Sequence, residues 1–258
     1  MPNVFRNVQP DNRRYDDLFA SMQRFRGGIY QADGAIEPSD LTDDGRHRVP
    51  IDSESWHVLS LDCDGNVVAC LRYLDESYAS SFHKLWVKHA AVSTCPIFGV
   101  PFRRAVEDGM LRAHRQGMGF GEVGGWAVAQ DYRWTLEPLR IILATYGLLE
   151  LLGGCAGVAT ATFRHRSAMI LRRIGLAPIV ADGEELPPYY DPGYRCQMQV
   201  LRFDSRNPAE KYRDSIQALA GTLTQAPVVC REKVATQGEG TFRGFELPLR
   251  PHLVPAML

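Results

Sequence analysis

The stretch 120–175, FGEVGGWAVAQDYRWTLEPLRIILATYGLLELLGGCAGVATATFRHRSAMILRRIG, limits the possible folds more than any other part of the chain. Its first part, 120–129, is apolar and broken by Gly124 and Gly125, the pattern of a buried strand with an irregularity at its middle. A polar link follows at 130–135. Leu139, Ile142, Leu143, Tyr146, Leu149 and Leu152 then recur at three- and four-residue steps, which predicts a helix over 136–152 stopped by Gly153 and Gly154. Small and β-branched residues make 155–162 a second strand, and 164–174 reads as a basic amphipathic helix ended by Gly175. In such a strand–helix–strand–helix unit, the first strand-to-helix connection is where anionic ligands are received.

The residues of this unit carry a resemblance. Glu122-Val123-Gly124-Gly125-Trp126-Ala127-Val128, then Asp131-Tyr132-Arg133, a long helix, a strand and a helix closing on Ile174-Gly175-Leu176 resemble the GCN5-related N-acetyltransferase (GNAT) superfamily. Within it the chain is most similar to the acyl-homoserine-lactone synthase and N-acyl amino acid synthase branch, whose strand reads Glu-(Val/Ile)-Ser-Arg-(Phe/Leu)-Ala-Val. The resemblance spans roughly residues 13–203 as an order of elements. It implies an α+β fold with a mixed central sheet splayed at its middle and helices on both faces. Glu122 matches the family glutamate, whereas Gly124 and Gly125 stand where the family has Ser-Arg.

The rest of the chain supplies the remaining elements. Tyr15, Leu18, Phe19, Met22 and Phe25 make 11–26 an amphipathic helix, with Gly27-Gly28 as its stop. Residues 31–50 are acidic and turn-rich, a surface loop that in the resembled branch folds over the acceptor. Two β-rich runs, 56–61 and 67–74, flank an Asp-Gly centre and predict a hairpin. Asp52 precedes the hairpin as one family aspartate does, though it also fits a strand cap. Arg72, near the hairpin's end, suits either an anchor for an acceptor carboxylate or an ion pair with a surface acid.

Residues 77–101 are too apolar for an ordinary loop. With Trp86 and Phe98 they suit an acyl-chain wall or a lid over the sheet. Arg103, Arg104, Arg112, His114 and Arg115 stud a helix at 102–116. With Lys84 and Lys88 they form a local basic patch of the kind that fits a carrier protein, a coenzyme A phosphate or tRNA. Residues 195–203 read as a final strand, 208–221 as a short helix, and 223–258 as a loosely packed tail. The expected organisation is an acyltransferase domain over 1–205 followed by a C-terminal helix and loosely structured tail over 206–258.

The net charge of −1 gives no global field that would advertise DNA or a membrane surface. The N-terminal residues have no apolar core, and no apolar run approaches the roughly 20 residues of a bilayer span, so neither a signal peptide nor a membrane span is expected. Six scattered cysteines without Cys-x-x-Cys fit a reduced, cytoplasmic protein, and the seven histidines lack metal-ligand spacing.

By resemblance, the backbone of Gly124, Trp126 and Val128 polarises a thioester carbonyl, with Glu122 as base for the attacking amine. Arg133, Trp134, Thr135 and Arg140 meet the donor phosphates, and Asp52, Arg72, Trp86 and Phe98 the acceptor and acyl chain. The pyrophosphate loop departs from the family pattern, with Leu136 and Pro138 in place of two small residues. The usual tyrosine general acid is replaced by Leu171. The expected activity is N-acyl transfer from a carrier-bound thioester, acyl-phosphopantetheine on an acyl carrier protein or acyl-CoA, to a small amino-acid-like amine, without a tightly bound cofactor or metal. An aminoacyl-tRNA-dependent transferase and a non-catalytic carrier- or effector-binding protein of the same fold are the alternatives.

Overall fold

The computed structural model describes residues 4–75, 77 and 79–232, and the backbone of 243–248. In chain order the elements are β1 (Val8–Pro10), α1 (Asn12–Ala32), β2 (Ser55–Leu61), β3 (Val67–Leu74), α2 (Gly99–Arg115), β4 (Gly119–Val128), α3 (Glu137–Leu151) and β5 (Cys155–Thr162). There follow α4 (Ser167–Ile174), β6 (Ala177–Pro178), β7 (Val180–Ala181), β8 (Glu184–Glu185), β9 (Tyr189–Asp191), β10 (Cys196–Asp204), α5 (Arg213–Leu223), β11 (Val228–Cys230) and β12 (Arg243–Pro248). The main sheet runs β1-β11-β12-β2-β3-β4-β5-β10-β6, with β9 on the edge of β10. It is mixed: β4 pairs antiparallel with β3 and parallel with β5.

Strand alternation divides the core into two layers. Trp56, Val58, Ala69, Leu71, Tyr73, Ala159, Leu201 and Phe203 pack with α3, α4 and α5. On the opposite face, Leu74, Val158 and Val200 pack with Phe102 and Val106 of α2, while Leu59, Cys70 and Ala127 pack with Met22 of α1. At about 25 cal/mol per Å2 of apolar surface removed from water, two such layers supply most of the stabilisation. The chain therefore has an α+β fold with helices on both faces of a mixed sheet, as the resemblance implies.

The splay at the middle has a clear register signature. The parallel pairing of β4 with β5 ends at Val123↔Ala159, although both strands continue beyond it. On the other side, the β3–β4 register slips between Cys70 and Arg72. Gly125 lies in the slip with φ +63, a left-handed conformation that costs a residue with a Cβ about 1–2 kcal/mol. Past Val123 the two strands diverge and open a slot.

Three expectations need correction. Gly27 and Gly28 do not stop α1, which runs on to Ala32. A Cβ on Gly27 would sit 2.9 Å from Leu41 Cδ2 and 3.0 Å from the Gly45 carbonyl, so this glycine lets the 41–47 loop lie against the helix. The tail is also not loose throughout. Residues 228–230 and 243–248 are strands of the main sheet, β12 pairing with β2 over six residues from Arg243↔Trp56 to Pro248↔Leu61. Residues 233–242 and 249–258 lie outside the described residues. Finally, 164–166 do not belong to the helix predicted there: His165 and Arg166 are left-handed at φ 57 and 61, and α4 begins at Ser167.

Candidate active site

A cavity of about 680 Å3 fills the slot between β4 and β5. Its floor is formed by Glu122 and residues 124–128 of β4 together with residues 160–162 of β5. The α1 side contributes Arg26 and Tyr30, and the turn between β9 and β10 contributes Tyr194.

Glu122 sits at the bottom, 2% exposed. It faces Leu74 across the β3–β4 ladder and so points toward the α2 side of the sheet. Its Oε2 accepts a hydrogen bond from the Val87 N–H at 3.0 Å. Burial pushes its pKa up, and the lowering influences of Arg72 and of the Val87 and Trp86 N–H groups do not cancel that effect. A carboxyl group with a raised pKa, open to a cavity, is suited to exchanging a proton with a bound ligand.

Beside it lies a buried ionic cluster. Arg26 holds Asp52 in a two-pronged pair at 2.9 and 2.6 Å, Arg72 reaches the same carboxylate at 3.1 Å, and Gln23 Nε2 donates to it at 3.1 Å. All three charged groups are at most 4% exposed. Burial alone would raise the Asp52 pKa, but the charges and hydrogen bonds of Arg26 and Arg72 outweigh it and hold the carboxyl well below the usual carboxylate range. His57 Nε2 lies 3.0 Å from the Asp52 carbonyl, and burial takes its pKa down to about 4. Within this cluster two guanidiniums face the single carboxylate of Asp52. Nε of Arg26 and Nε of Arg72 are both buried without a hydrogen-bond partner among the described residues.

The Gly-Gly pair is explained here. A Cβ at Gly125 would lie 3.2 Å from Arg72 Cβ and 3.3 Å from Arg26 Nη1, and one at Gly124 would lie 3.4 Å from Arg72 Nη2. The glycines leave room for the two arginines to lie against the bulged strand.

Of the residues singled out in the sequence, Glu122, Gly124, Trp126, Val128, Arg72, Trp86, Arg133 and Trp134 line this cavity. Asp52 does not line it but holds Arg26 and Arg72 from behind. Three others lie elsewhere. Phe98 is the N-terminal cap of α2 and packs in the layer beneath that helix. Thr135 donates to the Tyr132 carbonyl at 2.7 Å and caps the Glu137 N–H. Arg140 is turned onto the Glu137 carboxylate at 2.8 Å. At the start of α3, Glu137 is buried and Pro138 has no N–H, so this helix start is poorly equipped to receive a pyrophosphate. The apolar stretch near residue 90 is chiefly a lid: Phe82, Leu85, Val87 and Val92 pack with α2, and among its described residues only Trp86 reaches the cavity. Leu171 is core and donates no proton.

Sequence reasoning missed Arg26, Tyr30 and Tyr194. Arg26 had a usable signal, because it falls on the buried stripe of α1 with Tyr15 and Met22. Tyr30 donates to the Trp126 carbonyl at 3.3 Å, and its ring meets that of Tyr194 edge-on at 6.1 Å across the slot. Nothing local in the sequence predicts that meeting.

Among solved structures, the chain is similar to BjaI, a CoA-dependent acyl-homoserine lactone synthase seen with SAM and isopentyl-CoA: 17% identity over 88% of this chain and 91% of that one, TM-score 0.53. FeeM, an N-acyl amino acid synthase from uncultured soil microbes, aligns at 13% identity over 77% of this chain and 95% of that one, TM-score 0.44. No protein-family model and no curated protein matches the chain. Among the described residues no helix is long and apolar enough to cross a membrane.

Proposed function

We propose that the protein is an N-acyltransferase that moves an acyl group from a thioester donor to the amine of a small, amino-acid-like acceptor. The observation that carries this reading is the position of Glu122. A buried carboxyl group of raised pKa stands at the base of a slot whose other wall is strand backbone with no partner on the β5 side. The thioester carbonyl lies along 124–128, where main-chain N–H groups meet the charge that develops on its oxygen. The amine nitrogen attacks the carbonyl carbon, the C–N bond forms, and Glu122 takes the ammonium proton as the C–S bond breaks. The thiolate leaves without a tyrosine acid at position 171. Arg26 and Arg72 favour an acceptor that carries a carboxylate, since they bring two positive charges against the single charge of Asp52. The donor is an acyl-phosphopantetheine on a carrier protein or an acyl-CoA.

The test is intact-mass and product analysis of the protein incubated with acyl-carrier protein or acyl-CoA and a pool of amino acids. Transfer to an amine, reduced about 100- to 10,000-fold in Glu122→Gln, is the expected result. Undiminished transfer by a folded Glu122→Gln protein would remove Glu122 from the chemistry.

A further inference from the structure

At the mouth of the cavity, basic side chains from both sides of the slot converge on Asp33. Asp33 follows the last turn of α1 as its C-terminal cap. Arg133, from the connection after β4, grips it with both prongs: Nη1 to Oδ1 at 2.9 Å and Nη2 to Oδ2 at 2.7 Å. His165, from the turn after β5, places Nε2 3.4 Å from Oδ1, and Arg164 Nη1 donates to the Asp33 main-chain carbonyl. All four residues line the cavity that holds Glu122, as do Arg166 and Arg173.

Two features set this cluster apart from an ordinary surface ion pair. A planar guanidinium fork binds carboxylate and phosphate oxygens in the same geometry, so a carboxylate seated in it occupies a place that a phosphate also fits. His165 and Arg166 present their side chains from two consecutive left-handed residues, a strained conformation of the kind that gathers at ligand sites. The start of α3 offers no rival phosphate site, because Glu137 is buried there and Pro138 has no N–H.

Arg133 is the contact that the resemblance already assigns to a donor phosphate; we infer further that Arg164 and His165 extend it from the β5 side and that Asp33 is its internal occupant, which a phosphate ester must displace in order to bind. Asp33 opens the loop that carries His47 and leads to Asp52, so displacing it couples arrival of a phosphorylated ligand to movement of the segment over the acceptor side. The inference rests on the proposed function only for the identity of the phosphate's bearer, a donor thioester.

The experiment is calorimetric titration of the full-length protein with inorganic pyrophosphate and with pantetheine 4′-phosphate, neither of which carries an acyl group. Asp33→Asn is expected to tighten binding by about tenfold, the size of one charge-assisted pair removed from competition, and Arg133→Gln added to it should abolish that gain. Unchanged or weaker binding in a folded Asp33→Asn protein would overturn the inference. Should that variant fail to fold, Arg133→Gln alone decides: weaker pyrophosphate binding supports the site, and unchanged binding rejects it. Phosphate binding that responds to Asp33 in a protein devoid of acyl transfer would keep the site and discard the donor reading.

Discussion

Asp52→Asn is the most informative single perturbation of the buried cluster. The change is nearly isosteric and leaves Arg26 and Arg72, at 1% and 4% side-chain exposure, without the carboxylate that they share. Removing one partner of a buried, hydrogen-bonded ion pair costs about 3–5 kcal/mol, mostly from the charge left uncompensated. That is a large share of the roughly 5–15 kcal/mol that holds a folded domain together. For a chain of this size it corresponds to a fall in melting temperature of about 6–20 °C. Urea denaturation of parent, Asp52→Asn, Arg26→Met and the double variant forms a cycle in which the double variant should recover part of the loss. The pH dependence gives a second reading. Asp52 has a depressed folded pKa, so its contribution is complete above the ordinary carboxyl value near 3.9 and declines as pH falls below it, and the variant should lack this acid limb. A loss under about 1 kcal/mol, or additivity in the cycle, would refute the view that one carboxylate holds both arginines in place.

Other consequences are equally accessible. The rate of acyl transfer should rise with pH through a limb lying above the ordinary glutamate range, because Glu122 must be ionised to accept the proton and burial raises its pKa; an acid limb at ordinary values would contradict the geometry. His57, with a folded pKa near 4, stays neutral while the unfolded chain takes up a proton. Stability should therefore fall as pH drops from about 6.5 toward 4, and His57→Gln should flatten that slope in denaturation measured at several pH values. Gly125→Ala imposes a Cβ at φ +63 and crowds Arg72 and Arg26. It should cost about 1–2 kcal/mol in urea denaturation and reduce turnover by more than the unfolded fraction explains. A variant as stable and active as the parent would show that the bulge is incidental.

Much of this arrangement was legible in the residues, for specific reasons. The unit from β4 to α4 could be read because β4, Glu122 apart, is an apolar central strand and α3 repeats at helical spacing, both local signals. The stop assigned to Gly27-Gly28 failed because a glycine that admits a neighbouring loop looks the same in sequence as one that ends a helix. The β11 and β12 strands went unseen because three- and six-residue segments carry little periodicity, and their partners lie far away in the chain. Glu122 could be placed on its strand, but the Arg26–Asp52 and Arg133–Asp33 pairs join residues 26 and 100 positions apart, a distance over which no local pattern speaks.

The late insertion of β12 has a consequence for how the molecule is made. Residues 243–248 lie between β11 and β2, whose neighbours in the sheet include the strand at residues 8–10. A nascent chain that has not yet delivered residue 243 holds β2 and β11 with bare edges, open to pairing with another copy. Assembly of this half of the sheet therefore waits on synthesis of a distant segment, and a ribosome that halts short of it releases a protein predisposed to clump rather than one that is merely less active.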